Sequence, residues 1–287
     1  MPYATLISCA QLAERLAAQP DSCVVFDCRH DLAKPEAGAA AYAEAHVPGA
    51  RFMHLDRDMA GPLTGRNGRH PLPDPETFAA KLRAAGVNAD SQVIAYDDSG
   101  GMYAARLWWM LRWLGHDAVA VLDGGWKQWL SEGRATDSEI PVAKAGSFTP
   151  RQGTPGVDVH DVLSHLGKAG MQIVDARAED RYRGENETMD PVAGHIPGAL
   201  NRAFRHNLDA GGRFKQSTQL KQEFQAVLGG IAPAQVVHQC GSGVTACHNL
   251  LAMEIAGLAG SRLYPGSWSE WCSDASRPIA RGDLPGG

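Results

Sequence analysis

Cys240 opens a turn of unusual composition. Gly241, Ser242, Gly243, Val244 and Thr245 follow it, and Val236-Val237-His238-Gln239 lead into it. Glycines and small hydroxyl residues let successive backbone N–H groups curl around one point. Cys240 would sit at that point, close to the N-terminus of the helix that follows. Partial positive charge there favours a thiolate over a thiol. Such a turn suits a nucleophilic sulfur that must carry additional negative charge. His238 and His248 flank it on the strand and the helix, and neither is assigned as a base. Cys247 lies too far into the helix to share the cradle and reads as a packing cysteine.

The elements that must position this turn are a strand and a helix. Val236 and Val237 suit a strand buried on both faces, and Leu250, Leu251, Met253 and Ile255 supply a helical apolar stripe. The same pattern occurs earlier in the chain. Val24-Val25-Phe26-Asp27-Cys28-Arg29 matches Ile173-Val174-Asp175-Ala176-Arg177 through Asp-x-Arg. His46-Val47-Pro48-Gly49-Ala50 matches His195-Ile196-Pro197-Gly198-Ala199, and Val93 to Asp97 matches Val236 to Cys240. Gly124-Gly125-Trp126 with Trp129 matches Gly266-Ser267-Trp268 with Trp271. Four landmarks in one order mean two copies of one domain.

Each copy alternates apolar runs with helical patterns. Ser8-x-x-Gln11 reads as a capping box opening a first helix, with strands at 24–26, 93–96 and 119–122 and helices at 75–82 and 104–114. This predicts an α/β chain of two tandem domains, each a mainly parallel sheet flanked by helices. The boundaries read as 1–138, a Pro-, Gly-, Ser- and Ala-rich linker at 139–156, and 157–287. The copies differ at the turn: Asp97 stands where Cys240 stands. A carboxylate cannot take up a sulfur atom as a thiolate can, so the active turn is the C-terminal one.

Composition narrows the function. The 287 residues are 44% hydrophobic and 21% charged, as in a globular protein, and the formal net charge of −5 argues against nucleic acid as the main partner. No apolar run is long enough to cross a bilayer, and the N-terminus shows no signal peptide. The six cysteines form no Cys-x-x-Cys pair, and cysteines and histidines do not fall at zinc-site spacing, so neither a metal nor an organic cofactor is expected. A reducing, cytoplasmic setting follows. The tryptophans Trp108, Trp109, Trp113, Trp126 and Trp129 read as packing residues.

Over nearly its whole length the chain resembles the tandem-domain rhodanese family of sulfurtransferases. The likeness rests on Asp-x-Arg and His-[Ile/Val]-Pro-Gly-Ala in both halves, Asp97 in place of the first-half cysteine, and the Cys240 loop. The loop sequence resembles the 3-mercaptopyruvate branch, because thiosulfate-preferring members typically carry a basic residue there. The resemblance implies rhodanese-like domains of which only the second is active. Cys240 would become a persulfide and pass its sulfur to a thiol, to cyanide or to a thioredoxin-like protein. The N–H groups from Gly241 through Ser242, Gly243, Val244 and Thr245 to Ala246 would hold the transferred sulfur. Arg181 matches the arginine that grips the donor's carboxylate or sulfonate. Ser242, His70 and Asp56 match a Ser-His-Asp arrangement that would place the site between the domains and handle a proton as pyruvate enolate leaves.

One position departs from the branch. A second substrate-binding arginine often stands nine residues after the one matched by Arg181, and here that residue is Asp190, in an acidic loop. Arg183 and Arg205 are the candidates to supply the charge. Thiosulfate sulfurtransferase is the alternative within the same chemistry. A cysteine phosphatase would need an arginine six residues after its cysteine, where this chain has Ala246. A non-catalytic binding module would not need Cys240.

Overall fold

The computed structural model describes residues 2–18 and 23–285; Met1, where the N-terminal segment begins, lies outside them. The chain divides into two compact units. The first comprises the residues up to Gly61, Leu72–Thr154 and Ala210–Phe214, and the second Pro62–Pro71, Pro155–Asp209 and the chain from Lys215 onward. A short piece of the first half, carrying Arg69 and His70, is therefore part of the second unit.

The first unit contains strands β1 (Leu6–Ile7), β2 (Cys23–Asp27), β3 (Arg51–Phe52), β4 (Gln92–Tyr96) and β5 (Val119–Leu122). Its helices are α1 (Cys9–Ala18), α2 (Ala37–Glu44), α3 (Leu55–Asp58), α4 (Pro75–Ala84), α5 (Ala104–Trp113) and α6 (Gly125–Ser131). The sheet is parallel, in the order β1-β5-β4-β2-β3. Every residue of β2, β4 and β5 is buried, as in a sheet covered on both faces. Ser8 and Gln11 form the expected box: Gln11 N donates to Ser8 Oγ, and Ser8 N donates to Gln11 Oε1. Residues 139–154 form no helix or strand. They run extended along the first unit, where Gly146 N donates to Arg83 O and Arg151 N to Leu114 O.

The second unit repeats this plan with β6 (Gln172–Asp175), β7 (Leu200–Asn201), β8 (Val236–Gln239) and β9 (Arg262–Leu263), parallel in the order β7-β6-β8-β9. Its helices are α7 (Val159–His165), α8 (Glu179–Arg183), α9 (Ser217–Leu228), α10 (Thr245–Ile255) and α11 (Ser267–Trp271). Val157 N donates to Leu263 O, the same edge position that β1 occupies on β5.

The repeated motifs are structural fasteners. In each unit the Asp-x-Arg side chains pair at the end of a central strand. Arg29 Nη2 lies 2.6 Å from Asp27 Oδ2, and Arg177 Nη2 lies 2.7 Å from Asp175 Oδ2. Each guanidinium also donates to a carbonyl (Ala45 or Gly194) and lies over a tryptophan of the Gly-x-Trp motif, 4.6 Å from Trp126 or 4.8 Å from Trp268. The motif histidines stack on Tyr42 and Tyr182, and their Nδ1 atoms bond the carbonyls of the same tyrosines.

The turn after β4 closes on itself. The Asp97 carboxylate is fully buried and accepts N–H bonds from Ser99, Gly101, Tyr103 and Ala104 at 2.7–2.9 Å. Burial pushes this carboxyl upward while the four donors pull the other way. Asp97→Ala should strand four donors, three of them buried, and cost the first unit about 2–5 kcal/mol. A urea titration read by tryptophan fluorescence should show the loss as an earlier transition.

Candidate active site

Cys240 follows the last residue of β8, a central strand, and is 1% exposed. The carboxyl ends of parallel strands are where such sheets place their ligands. The turn is fastened from behind: Cys240 N donates to Ser267 Oγ (3.1 Å), Cys240 O accepts from Trp268 N (3.0 Å), and Gly241 O accepts from Ser269 N (2.9 Å). Gly243 has φ +76°, and a Cβ there would lie 2.3 Å from Pro265 O, so the turn needs glycine at this position. Among the described residues, the N–H groups of Gly241, Ser242, Val244, Thr245 and Ala246 donate to no protein acceptor. Those of Val244, Thr245 and Ala246 are the orphan donors that begin α10. The first unit fills the equivalent cradle with the Asp97 carboxylate, whereas the second leaves these donors for another anion.

Ser267 was not singled out by sequence reasoning. It is the only non-glycine residue with positive φ (55°) among those described, and its hydroxyl donates to Tyr264 O while accepting from Cys240 N. The aligned residue of the first half is Gly125, also at φ 56°. The glycine-to-serine exchange in an otherwise matching motif was the available signal. A strained residue that also holds the turn is in keeping with a functional position.

The structure brings Ser242 and His70 together. Ser242 Oγ and His70 Nδ1 are 2.7 Å apart and both side chains are buried. Asp56 lies on α3 in the first unit, where its Oδ2 is 3.8 Å from His30 Nε2. Ligand atoms of His30, His54 and Asp56 lie within 4.8 Å of one another. His54 Nδ1, however, accepts from Asp56 N and Arg57 N, which leaves the ring proton on Nε2, the atom a metal would need. His238 and His248 are both fully buried. Burial, with the Arg202 charge, pushes His238 down to about 3, so it stays neutral. Cys247 is buried, and its Sγ contacts Gly243 O at 3.3 Å.

Arg181 projects from α8 toward the turn. Both of its terminal nitrogens lie 3.6 Å from the point a Cβ on Gly241 would occupy. Glu187 holds it by bonds from Nε (3.1 Å) and Nη2 (2.8 Å), and Asp190 Oδ2 lies 3.4 Å away. Glu187 also meets Arg177 at 3.4 Å. The loop that reads as an acidic run therefore turns two acids inward: the Glu187 and Asp190 side chains are 1% and 2% exposed. Arg183 pairs with Glu185 and lies near Asp283, and the Arg205 guanidinium lies over Phe204. Neither of these interactions points to the missing second arginine.

The sequence model of the rhodanese-like domain matches residues 8–132 and 158–274. The chain belongs to the rhodanese-like family. It is 49% identical over 289 residues to a "Probable 3-mercaptopyruvate sulfurtransferase" of Pseudomonas aeruginosa, covering 99% of this chain and all of that protein. It is 36% identical to a "Thiosulfate sulfurtransferase" of Bos taurus, covering 80% of this chain and 78% of the relative. Among solved structures it matches SseA from Escherichia coli, described as a 3-mercaptopyruvate sulfotransferase with the rhodanese fold. That match has a TM-score of 0.80 and 31% identity, over 93% of this chain and all of SseA. The rhodanese turn here is thus an open N–H cradle around Cys240 with a braced arginine above it.

The brace makes stability pH-dependent. Burial raises the Glu187 carboxyl, but N–H bonds from Met189 and Asp190 and the pairing with Arg181 outweigh it and hold the group below its ordinary value of 4.5. A lowered carboxyl stabilises the fold above that value, and the benefit is lost as pH falls through the folded one. Glu187→Gln should therefore lower the thermal midpoint at pH 7, at a cost of about 1–3 kcal/mol. Its deficit against the wild type should shrink as the pH of the melt is taken below 4.5.

Proposed function

We propose that this chain is a sulfurtransferase that takes sulfur from 3-mercaptopyruvate and carries it as a persulfide on Cys240. The observation that carries this reading is the set of orphan N–H donors around a cysteine that Arg181 overlooks. The Cys240 thiolate attacks the donor sulfur, the carbon–sulfur bond breaks, and its electron pair stays on carbon as pyruvate enolate. The enolate takes up a proton at carbon to give pyruvate. The cradle holds the negative charge on the persulfide. An acceptor thiolate or cyanide then attacks the outer sulfur, the sulfur–sulfur bond breaks, and the Cys240 thiolate returns. A thioredoxin-like protein could present such a thiolate. Two half-reactions through one covalent intermediate predict ping-pong kinetics.

Ser242 and His70, in hydrogen-bond contact, form the proton path of the first half-reaction. Asp56 is assigned to the same path by family resemblance alone. Arg181 takes the donor carboxylate. Six free cysteines, all buried, suit a reducing cytoplasm, and no described helix is long and apolar enough to cross a membrane.

Thiosulfate is the second donor to test, because a cationic subsite also accepts a sulfonate and the bovine relative carries that name. Steady-state rates with each donor, and cyanide or a dithiol as acceptor, separate the two. We expect kcat/KM for mercaptopyruvate to exceed that for thiosulfate by about tenfold or more. The reverse preference would refute the donor assignment. Cys240→Ser should abolish transfer and the mass gain of one sulfur atom on the Cys240 peptide. Ser242→Ala and His70→Asn should slow mercaptopyruvate turnover by about 10- to 1000-fold. Thiosulfate turnover should change far less, because sulfite leaves as a stable anion and needs no proton.

A further inference from the structure

Position 190 holds an aspartate, yet the site is not short of a second cation. We propose that Arg69 is that cation: it reaches the Cys240–Gly241 turn from the 62–71 segment, and buried Asp190 fixes it beside Arg181 as the second half of a carboxylate subsite. This inference rests on the reading of Cys240 and Arg181 given above.

Arg69 Nη2 lies 2.8 Å from the point a Cβ on Gly241 would occupy, and both terminal nitrogens of Arg181 lie 3.6 Å from that same point. Three guanidinium nitrogens from two separate segments thus converge on the Gly241 side of the turn, next to the nucleophile, and a carboxylate entering there meets both groups. Two guanidinium groups brought so close repel unless an anion joins them. Asp190 does so: one oxygen pairs with Arg69 Nη1, and the other lies 3.4 Å from Arg181 Nη2. The acid is 2% exposed and the Arg69 and Arg181 side chains are 29% and 19% exposed. An anion arriving from water therefore meets the cations and not the carboxylate.

The backbone carrying Arg69 is fixed to the same framework as the turn. Arg69 N donates to Ser269 Oγ (3.0 Å), while Ser269 N donates to Gly241 O. One residue thereby sets the distance between the two. Gly68 has φ +81°, and a Cβ there would lie 2.7 Å from Gly266 O, so only glycine lets the segment approach this closely. Arg69, Arg181 and Arg177 face Asp190, Glu187 and Asp175, which leaves the subsite neutral before it is filled. A monoanion such as an α-keto carboxylate suits such a site better than a dianion.

Two measurements on the full chain test this. The first is an NMR titration with pyruvate, which carries the same α-keto carboxylate and undergoes no sulfur transfer, into Cys240→Ser with and without Arg69→Met. Arg69→Met should weaken binding at least tenfold, and Arg69→Lys should recover part of the loss. The second is donor kinetics. Arg69→Met should raise KM for mercaptopyruvate about 10- to 100-fold. The rate at which a neutral dithiol discharges a preformed Cys240 persulfide should fall far less than kcat/KM for mercaptopyruvate. Unchanged pyruvate affinity, no pyruvate binding to the parent protein, or an equal loss in persulfide discharge would each overturn the assignment. If pyruvate binding falls as expected but the wild type fails to turn over mercaptopyruvate, the donor reading falls and the subsite stands.

Discussion

The second unit depends on a buried line of alternating charge that starts at the sheet. Asp175 ends β6 and pairs with Arg177; Arg177 meets Glu187; Glu187 braces Arg181; and Asp190 joins Arg181 to Arg69. Burial works against the Arg177 charge, but Asp175, Glu187 and Asp190 more than offset it and raise its affinity for the proton. Each ion is tolerable in the interior only because its neighbours carry the opposite sign. Deleting Asp175 or Arg177, the fully buried pair of the line, costs about 3–5 kcal/mol because the partner is left buried and uncompensated. The line thus converts the rigidity of a parallel sheet into fixed positions for two guanidinium groups beside a cysteine.

The first unit shows what the fold needs without the chemistry. It keeps the Asp27–Arg29 pair, the tryptophan beneath it and the stacked histidine. In its turn after β4 the Asp97 carboxylate takes four of the N–H groups that would otherwise face an outside anion. The Asp-x-Arg, His-x-Pro-Gly and Gly-x-Trp motifs are therefore architectural in both copies. At the turn itself the copies differ in whether the cradle holds its own carboxylate or stays open around a thiol.

Much of this was readable in the residues alone. Val-Val runs ending in Asp or Cys, and a capping box at Ser8, gave the strands and the first helix, because those signals are local. The internal repeat gave the two-copy plan. The inward turn of Glu187 and Asp190 was not legible, because a run of acids in a loop ordinarily faces water, and only the arginines on neighbouring elements reverse that. Arg69 escaped for the same reason. It lies in the first half of the sequence, and nothing local indicates that residues 62–71 pack with the second unit. Ser267 was visible as a serine aligned with Gly125, but its meaning needed the φ angle and the bond to Cys240 N.

The exchange of sign at position 190 follows from the same physics. A carboxylate subsite of two bare guanidinium groups has to hold like charges together whenever the donor is absent, and that strain is relieved only on binding. Placing one cation on a separate segment and a buried carboxylate between the two removes the repulsion in the empty site. The geometry is then preorganised, so less of the binding energy is spent on ordering the arginines. The cost is a weaker net field, since the six-membered line is neutral. In the proposed subsite, attraction for a donor comes from short, directed bonds and not from long-range charge. Such bonds favour a planar monoanion of the right shape over any anion of higher charge.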